Sequence, residues 1–311
     1  MEPLLPPQPA VKPFGHAREL RNLVFLTLIL ALCFIKPLFH LVRFAANSDL
    51  YSYILLVPFI SLYLVWLKRK HPLLPSEPDR RPALFPFAAG ALTLLFYWFA
   101  VRSGLRLLED DYLAWMVLAF VLFFLGNLLV CLGTEPLRRL FFPIAFLIFL
   151  IPFPAFLEKA IEGFLQRGSA DVANALFNLV GTPVLRHGLA FQLPGFSLQV
   201  APECSGIHST MVLFMTSLVA GQFFLRASWK RAVLALAIVP LSLLRNGLRI
   251  VTIGELCVHV NPDMINSYIH KRGGPIFFVL SLVPLFLLLY YLRRSELKNN
   301  PEPIVRNDSP I

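Results

Sequence analysis

Read from the N-terminus, apolar runs of about twenty residues recur along the chain, separated by short polar or basic stretches. A helix needs about 20 mostly apolar residues to cross a bilayer's hydrocarbon core. Eight runs approach that length, at 23–42, 51–67, 83–101, 112–132, 137–155, 207–225, 231–253 and 275–292. Lys36-Pro37 interrupts the first run, and the fifth ends at Ile151-Pro152-Phe153-Pro154, where prolines remove backbone donors. The pattern predicts an all-α integral membrane protein of about eight transmembrane helices.

Between the fifth and sixth runs the period changes. Leu157, Ile161, Phe164 and Leu165, then Val172, Leu176, Leu179 and Val180, repeat at i, i+4, i+7, i+8. This is the spacing of amphipathic helices, and it predicts that they lie in the membrane interface. Beyond Gly181-Thr182-Pro183, Phe191 and Leu193, then Phe196, Leu198 and Val200, alternate with polar residues around Pro194-Gly195, a β-hairpin pattern. Segment 156–206 therefore reads as a small cap between spans 5 and 6. Residues 1–20 read as a disordered N-terminus, 21–292 as the transmembrane domain and 293–311 as a tail.

Composition agrees with the pattern. The 311 residues are 57% hydrophobic and 15% charged; a soluble domain carries about 25% charged residues, so too few are present here to cover a water-facing globule. The net charge of +10 raises the question of nucleic acid. The basic residues instead sit in short clusters between apolar runs, with no basic stripe and no nucleic-acid fold signature. Alternate segments that include both termini hold 17 of the 28 Lys and Arg, against 8 in the opposite set. The excess of positive charge places both termini in the cytoplasm and the 156–206 cap outside.

Candidate chemistry gathers at that outer side. Cys33, Cys131, Cys204 and Cys257 show no CxxC spacing, so zinc-ribbon and thioredoxin motifs are absent, and neither a metal nor a cofactor is expected. Glu203-Cys204-Ser205-Gly206-Ile207 leads into span 6. A thiol at or just before a helix's first turn feels the positive end of the dipole and is favoured as thiolate. A buried structural Cys, or a disulfide with Cys257, is the competing reading. Span 7 carries Arg245, Asn246 and Arg249, and charges inside a span are costly enough to mark function. Arg249 lies about one turn from the outer end, where snorkelling to headgroups competes with a functional role. Arg245 is one turn deeper. His270 stands at the mouth of span 8, before Gly274. His208, one turn after Cys204, competes with His270 as the base.

These residues resemble the three signature motifs of the exosortase/archaeosortase family: Glu203 through Ile207, Asn246 through Arg249, and His270 with Gly274. Tyr51-Ser52-Tyr53 through Val57-Pro58 to Tyr63-Leu64-Val65-Trp66, and Ile151 through Ala155, are similar to two further family segments. The resemblance spans roughly 45–292. It implies a multi-pass cysteine transpeptidase that processes proteins bearing a PEP-CTERM-like C-terminal signal, made of a short motif, a transmembrane helix and a basic tail. By motif, Cys204 is the nucleophile, Arg249 the essential cation and His270 the acid/base. Glu203, Ser205, Gly206, His208, Arg245, Asn246 and Gly274 take supporting roles. The implied location is the inner membrane, with the site facing the periplasm. The implied partners are sorted substrate proteins and membrane lipids, and no nucleic acid. A transporter also fits intramembrane Arg and broken helices, but no repeat is visible and the polar residues cluster near one surface. A membrane acyltransferase would use His and Arg without an evident need for Cys204.

The charge count generates a test of orientation. Single cysteines placed in 68–82 are expected to resist membrane-impermeant maleimides in intact cells and to react after permeabilisation. Strong labelling in intact cells would invert the arrangement.

Overall fold

A computed structural model describes residues 15–68, 81–105, 107–201, 205–261, 264 and 274–299. The chain divides into two compact units, Met1–Phe156 and Leu157–Ile311. It is mostly helical. Among the described residues, five helices are long and apolar enough to cross a membrane, or up to seven if each bent pair counts as one span.

The first unit contains α1 (Gly15–Cys33), α2 (Ile35–Asn47), a 3₁₀ turn (Ser52–Leu56) leading into α3 (Val57–Lys68), α4 (Arg81–Arg102), α5 (Glu109–Leu132), α6 (Thr134–Arg139), α7 (Phe141–Ala145) and a second 3₁₀ turn (Phe146–Leu150). The first apolar run is not one straight span: α1 and α2 meet at Phe34 with their axes 76° apart. Pro37 explains the break, because it denies a donor to the Cys33 carbonyl and crowds it. The fifth run is likewise cut into short pieces, and Pro143 stands four residues beyond the α6 end at Arg139. The run at 51–67 forms a shorter apolar helical segment, Ser52–Lys68. By contrast, α4 is apolar on every face and leaves Phe85 79% exposed. A helix of that kind belongs in lipid or in a core.

Polar contacts tie this unit together. The hydroxyl of buried Tyr51 reaches the Phe153 carbonyl at 3.5 Å, so the segment beginning at Tyr51 touches the Pro152–Pro154 segment. Asp111, in the first turn of α5, accepts from the backbone N–H of Leu108 at 3.2 Å and of Ala155 at 3.0 Å. Ser61 donates to the Pro143 carbonyl at 2.7 Å.

The second unit begins within α8 (Ala155–Val180), followed by β1 (Leu185–His187), β2 (Ala190–Leu193), β3 (Phe196–Gln199), α9 (Ile207–Phe224), α10 (Ser228–Leu236), α11 (Ile238–His259) and α12 (Gly274–Asn299). The two amphipathic groups expected as separate helices are one helix of 26 residues. Its buried stripe, with Leu165, Ala170, Ala173 and Phe177, faces protein. It joins Phe191, Leu193, Leu198 and Val200 of the sheet region and Ile250 and Val251 of α11 in one core. The expected hairpin is present as β2–β3, with Leu193 opposite Phe196 across Pro194-Gly195. A third antiparallel strand, β1, was not anticipated; it pairs Arg186 with Phe191. A separate core formed by Leu213, Leu234, Ile238 and Leu285 holds α9, α10, α11 and α12 together.

The crossing of α8 with α11 is close because its contact positions are small. A Cβ on Gly247 would lie 2.6 Å from Val172 Cγ1, and one on Gly254 would lie 2.6 Å from Phe177 Cζ. Small residues at such crossings let backbones approach and gain dispersion contacts. Gly247→Ala should therefore lower stability by about 1–3 kcal/mol through overpacking, read as a lower unfolding temperature in detergent. Adding Val172→Ala should recover part of the loss. Unchanged unfolding of Gly247→Ala would contradict the close crossing.

Candidate functional site

Every sequence-selected site residue belongs to the second unit, and the site is organised around the connection from β3 to α9. Glu203 and Cys204 lie outside the described residues, as does His270. The chain on both sides of position 204 is described, and buried side chains hold it. Upstream, Gln166 Nε2 of α8 donates to the Val200 carbonyl at 2.8 Å. Downstream, Asn246 Nδ2 of α11 donates to the Ser205 carbonyl at 3.4 Å and to Ser169 Oγ of α8 at 3.0 Å. Arg245 Nη2 donates to the Gly206 carbonyl at 3.3 Å and to Thr210 Oγ1 at 3.4 Å.

Local chemistry explains the geometry. Gly206 is the N-cap of α9 and has φ +72°, a left-handed conformation that L side chains adopt only with strain. A Cβ there would also lie 2.9 Å from Arg245 Nη2. Its carbonyl accepts from Thr210 N at 2.9 Å, closing the first helical turn, while the Ser209 and Thr210 hydroxyls donate to it at 3.0 and 2.8 Å. On α11, Asn246 supplies the donor and Gly247 the clearance, so adjacent residues hold the loop and admit α8.

The helix starts at Ile207, with Ser205 and Gly206 outside it. His208 therefore lies in the first turn of α9, while Cys204 lies outside the described residues. The left-handed Gly206 turns the chain immediately before the helix begins.

The structure thus brings together Ser205, Gly206, Arg245 and Asn246. Arg249 is half-buried one turn along α11 from Arg245, and His208 is half-buried in the first turn of α9. Gly274 is the first residue of α12. The buried Ser205 Oγ and Arg245 Nη1 have no hydrogen-bond partner among the described residues. Leaving such groups unmet costs about 1–3 kcal/mol. Near the end of α11, Glu255 accepts from Thr182 and lies 3.0 Å from His259 Nε2, tying the start of the strand region to that helix. Cys257 is buried on the same helix. Among the described residues, no three His, Cys, Asp or Glu side chains are grouped to hold a metal ion.

Sequence reasoning missed Gln166 and Ser169. Their signal was present as two polar residues inside the apolar stripe of α8, beside Leu165, Ala170 and Ala173, where a buried polar group needs a partner.

The family model described as transmembrane exosortase (Exosortase_EpsH) matches residues 45–287. No curated protein and no solved structure matches the chain.

The anchored loop has measurable consequences. Gln166→Leu leaves the Val200 carbonyl unsatisfied and should destabilise the protein by about 1–3 kcal/mol. Gly206→Ala combines left-handed strain with a clash and should cost at least about 1–2 kcal/mol. Thermal unfolding in detergent measures both. Wild-type unfolding of both variants would show that these contacts do not hold the loop.

Proposed function

Because this chain belongs to the transmembrane exosortase family, we propose that it is a membrane-embedded cysteine transpeptidase or protease. In this reading it cleaves the C-terminal sorting signal of exported proteins. It is a multi-pass membrane protein; we further propose eight spans, cytoplasmic termini, an inner-membrane location and a site facing the periplasm. The observation that supports the reading is the double anchoring of the loop around position 204. Buried donors from α8 and α11 grip it on both sides, with Arg245 and Arg249 one turn apart on the adjoining helix. A reacting group carried on a loop needs such fixing, because misplacement by about 1 Å costs about a hundredfold in rate.

In the proposed reaction, the Cys204 thiolate attacks the scissile carbonyl and forms a tetrahedral intermediate. The C–N bond breaks, His270 gives its proton to the leaving amine, and a thioester remains. An acceptor amine or water then attacks the thioester, surrenders a proton to His270 and releases the thiolate. The imidazole's ordinary pKa near 6.5 allows both transfers. Arg249 presents a two-pronged donor to the oxyanion or to a substrate carboxylate. Glu203 and Gly274 flank the Cys and His positions, and His208 supports them. The proposed partners are proteins whose C-terminus carries a sorting motif, one transmembrane helix and a basic tail.

A reporter ending in such a signal tests the assignment. Cys204→Ser should lose at least about a thousandfold in cleavage at near-normal protein levels. His270→Ala should be inactive, whereas His208→Ala should keep activity within about tenfold of wild type, as a supporting residue would. Arg249→Lys should lose about a hundredfold, because a point charge cannot replace a forked donor. A thioester-linked substrate fragment on Cys204, found by mass spectrometry, would fix the nucleophile. An active Cys204→Ser would end the proposal, and an active His270→Ala with a dead His208→Ala would move the base to α9.

A further inference from the structure

At the end of the second unit opposite the β3–α9 connection lies a cavity of about 550 Å³. It is bounded by the last turn of α9, the link to α10 and the final turns of α12. The 18 residues of α9 separate it from Gly206 by roughly 27 Å, at 1.5 Å per residue. It is therefore independent of the proposed chemistry at Cys204.

We propose that this cavity binds the phosphate headgroup of an anionic phospholipid. Its walls carry three guanidinium groups, Arg226, Arg231 and Arg293, against one carboxylate, Glu296. That carboxylate is already committed: its oxygens accept the backbone N–H groups of Arg226 and Ala227, each at 2.9 Å. Arg231 is braced by donating to the Leu225 carbonyl and to Gln222 Oε1, both at 2.8 Å. Lys230, buried and next to Arg231 in the sequence, donates to the Leu292 carbonyl at 3.0 Å and adds a further positive charge. Guanidinium forks match phosphate oxygens, and a pre-braced fork loses less entropy on binding.

The remaining wall selects a lipid over a free anion. Phe223, Phe224 and Leu297 line the cavity and are exposed, offering an apolar surface to an acyl chain. Arg293 lies over the Phe224 ring at 5.5 Å, so cationic and apolar faces adjoin. Trp229, Tyr290 and Tyr291 are exposed at the same end, the amphipathic aromatics that sit at headgroup level. Basic pockets between spans at that level suit anionic headgroups.

Native mass spectrometry of the full chain released from detergent provides the test, with phosphatidylglycerol, phosphatidylcholine or inorganic phosphate added at equal concentration. Wild type should retain phosphatidylglycerol at least about fivefold better than phosphatidylcholine, and inorganic phosphate should not displace it. Retention should fall roughly fivefold for each arginine removed in Arg226→Gln and Arg293→Gln. Exposed Arg293→Gln alone carries the test if the double variant loses its helical circular-dichroism signal. Equal retention of the two lipids, or unchanged retention in a folded variant, would overturn the proposal. Displacement by inorganic phosphate would overturn the lipid assignment in favour of a free-anion site.

Discussion

A buried backbone carbonyl must find a donor inside the protein, and the second unit is arranged around meeting that demand. The connection from β3 to α9 is too irregular to satisfy its own carbonyls at Val200 and Ser205, so side chains reach in from two helices. Those donors arrive only if α8 and α11 run close together, which depends on Gly247 and Gly254 having no side chains. The closeness in turn places Ser169 where it can accept from Asn246, so one amide serves both the crossing and the loop. Glycine clearance, amide donor and loop shape are thus a single linked requirement.

The same linkage gives the short Arg245–Arg249 stretch a division of labour. Arg245 faces inward to the Gly206 carbonyl and is held in place by it, whereas Arg249, one turn further on, is only half-buried. In the proposed chemistry the inner guanidinium shapes the loop and the outer one remains accessible to substrate. Two cations a turn apart repel each other, and Arg245's carbonyl contact offsets part of that cost.

Much of this was legible in the sequence where a single physical signal dominated. The runs at 83–101, 112–132, 207–225 and 275–292 each correspond to one helix because they are long, apolar and continuous enough to override local detail, and 231–253 corresponds to α10 and α11. Pro194-Gly195 between alternating residues marked the β2–β3 hairpin. Ser205-Gly206 and Arg245-Asn246 were singled out together and do meet. Other features depend on tertiary context. Lys36-Pro37 signalled a weak point but not a 76° bend. The two apolar groups at 157–165 and 172–180 suggested separate helices, yet one helix runs through both, with Leu243 filling the space a Cβ on Gly168 would take. β1 is three residues long and is defined by its partner rather than by its own pattern. Gln166 and Ser169 were missed because polar residues in an apolar stripe acquire meaning only once the facing carbonyl and amide are known.

The glycine-rich crossing also bears on how this protein responds to temperature. Packing of small residues draws on dispersion and hydrogen bonding, whereas the burial of large apolar groups from water weakens on cooling. The grip of α8 on α11 should therefore persist in the cold better than a core of large side chains exchanged with water would.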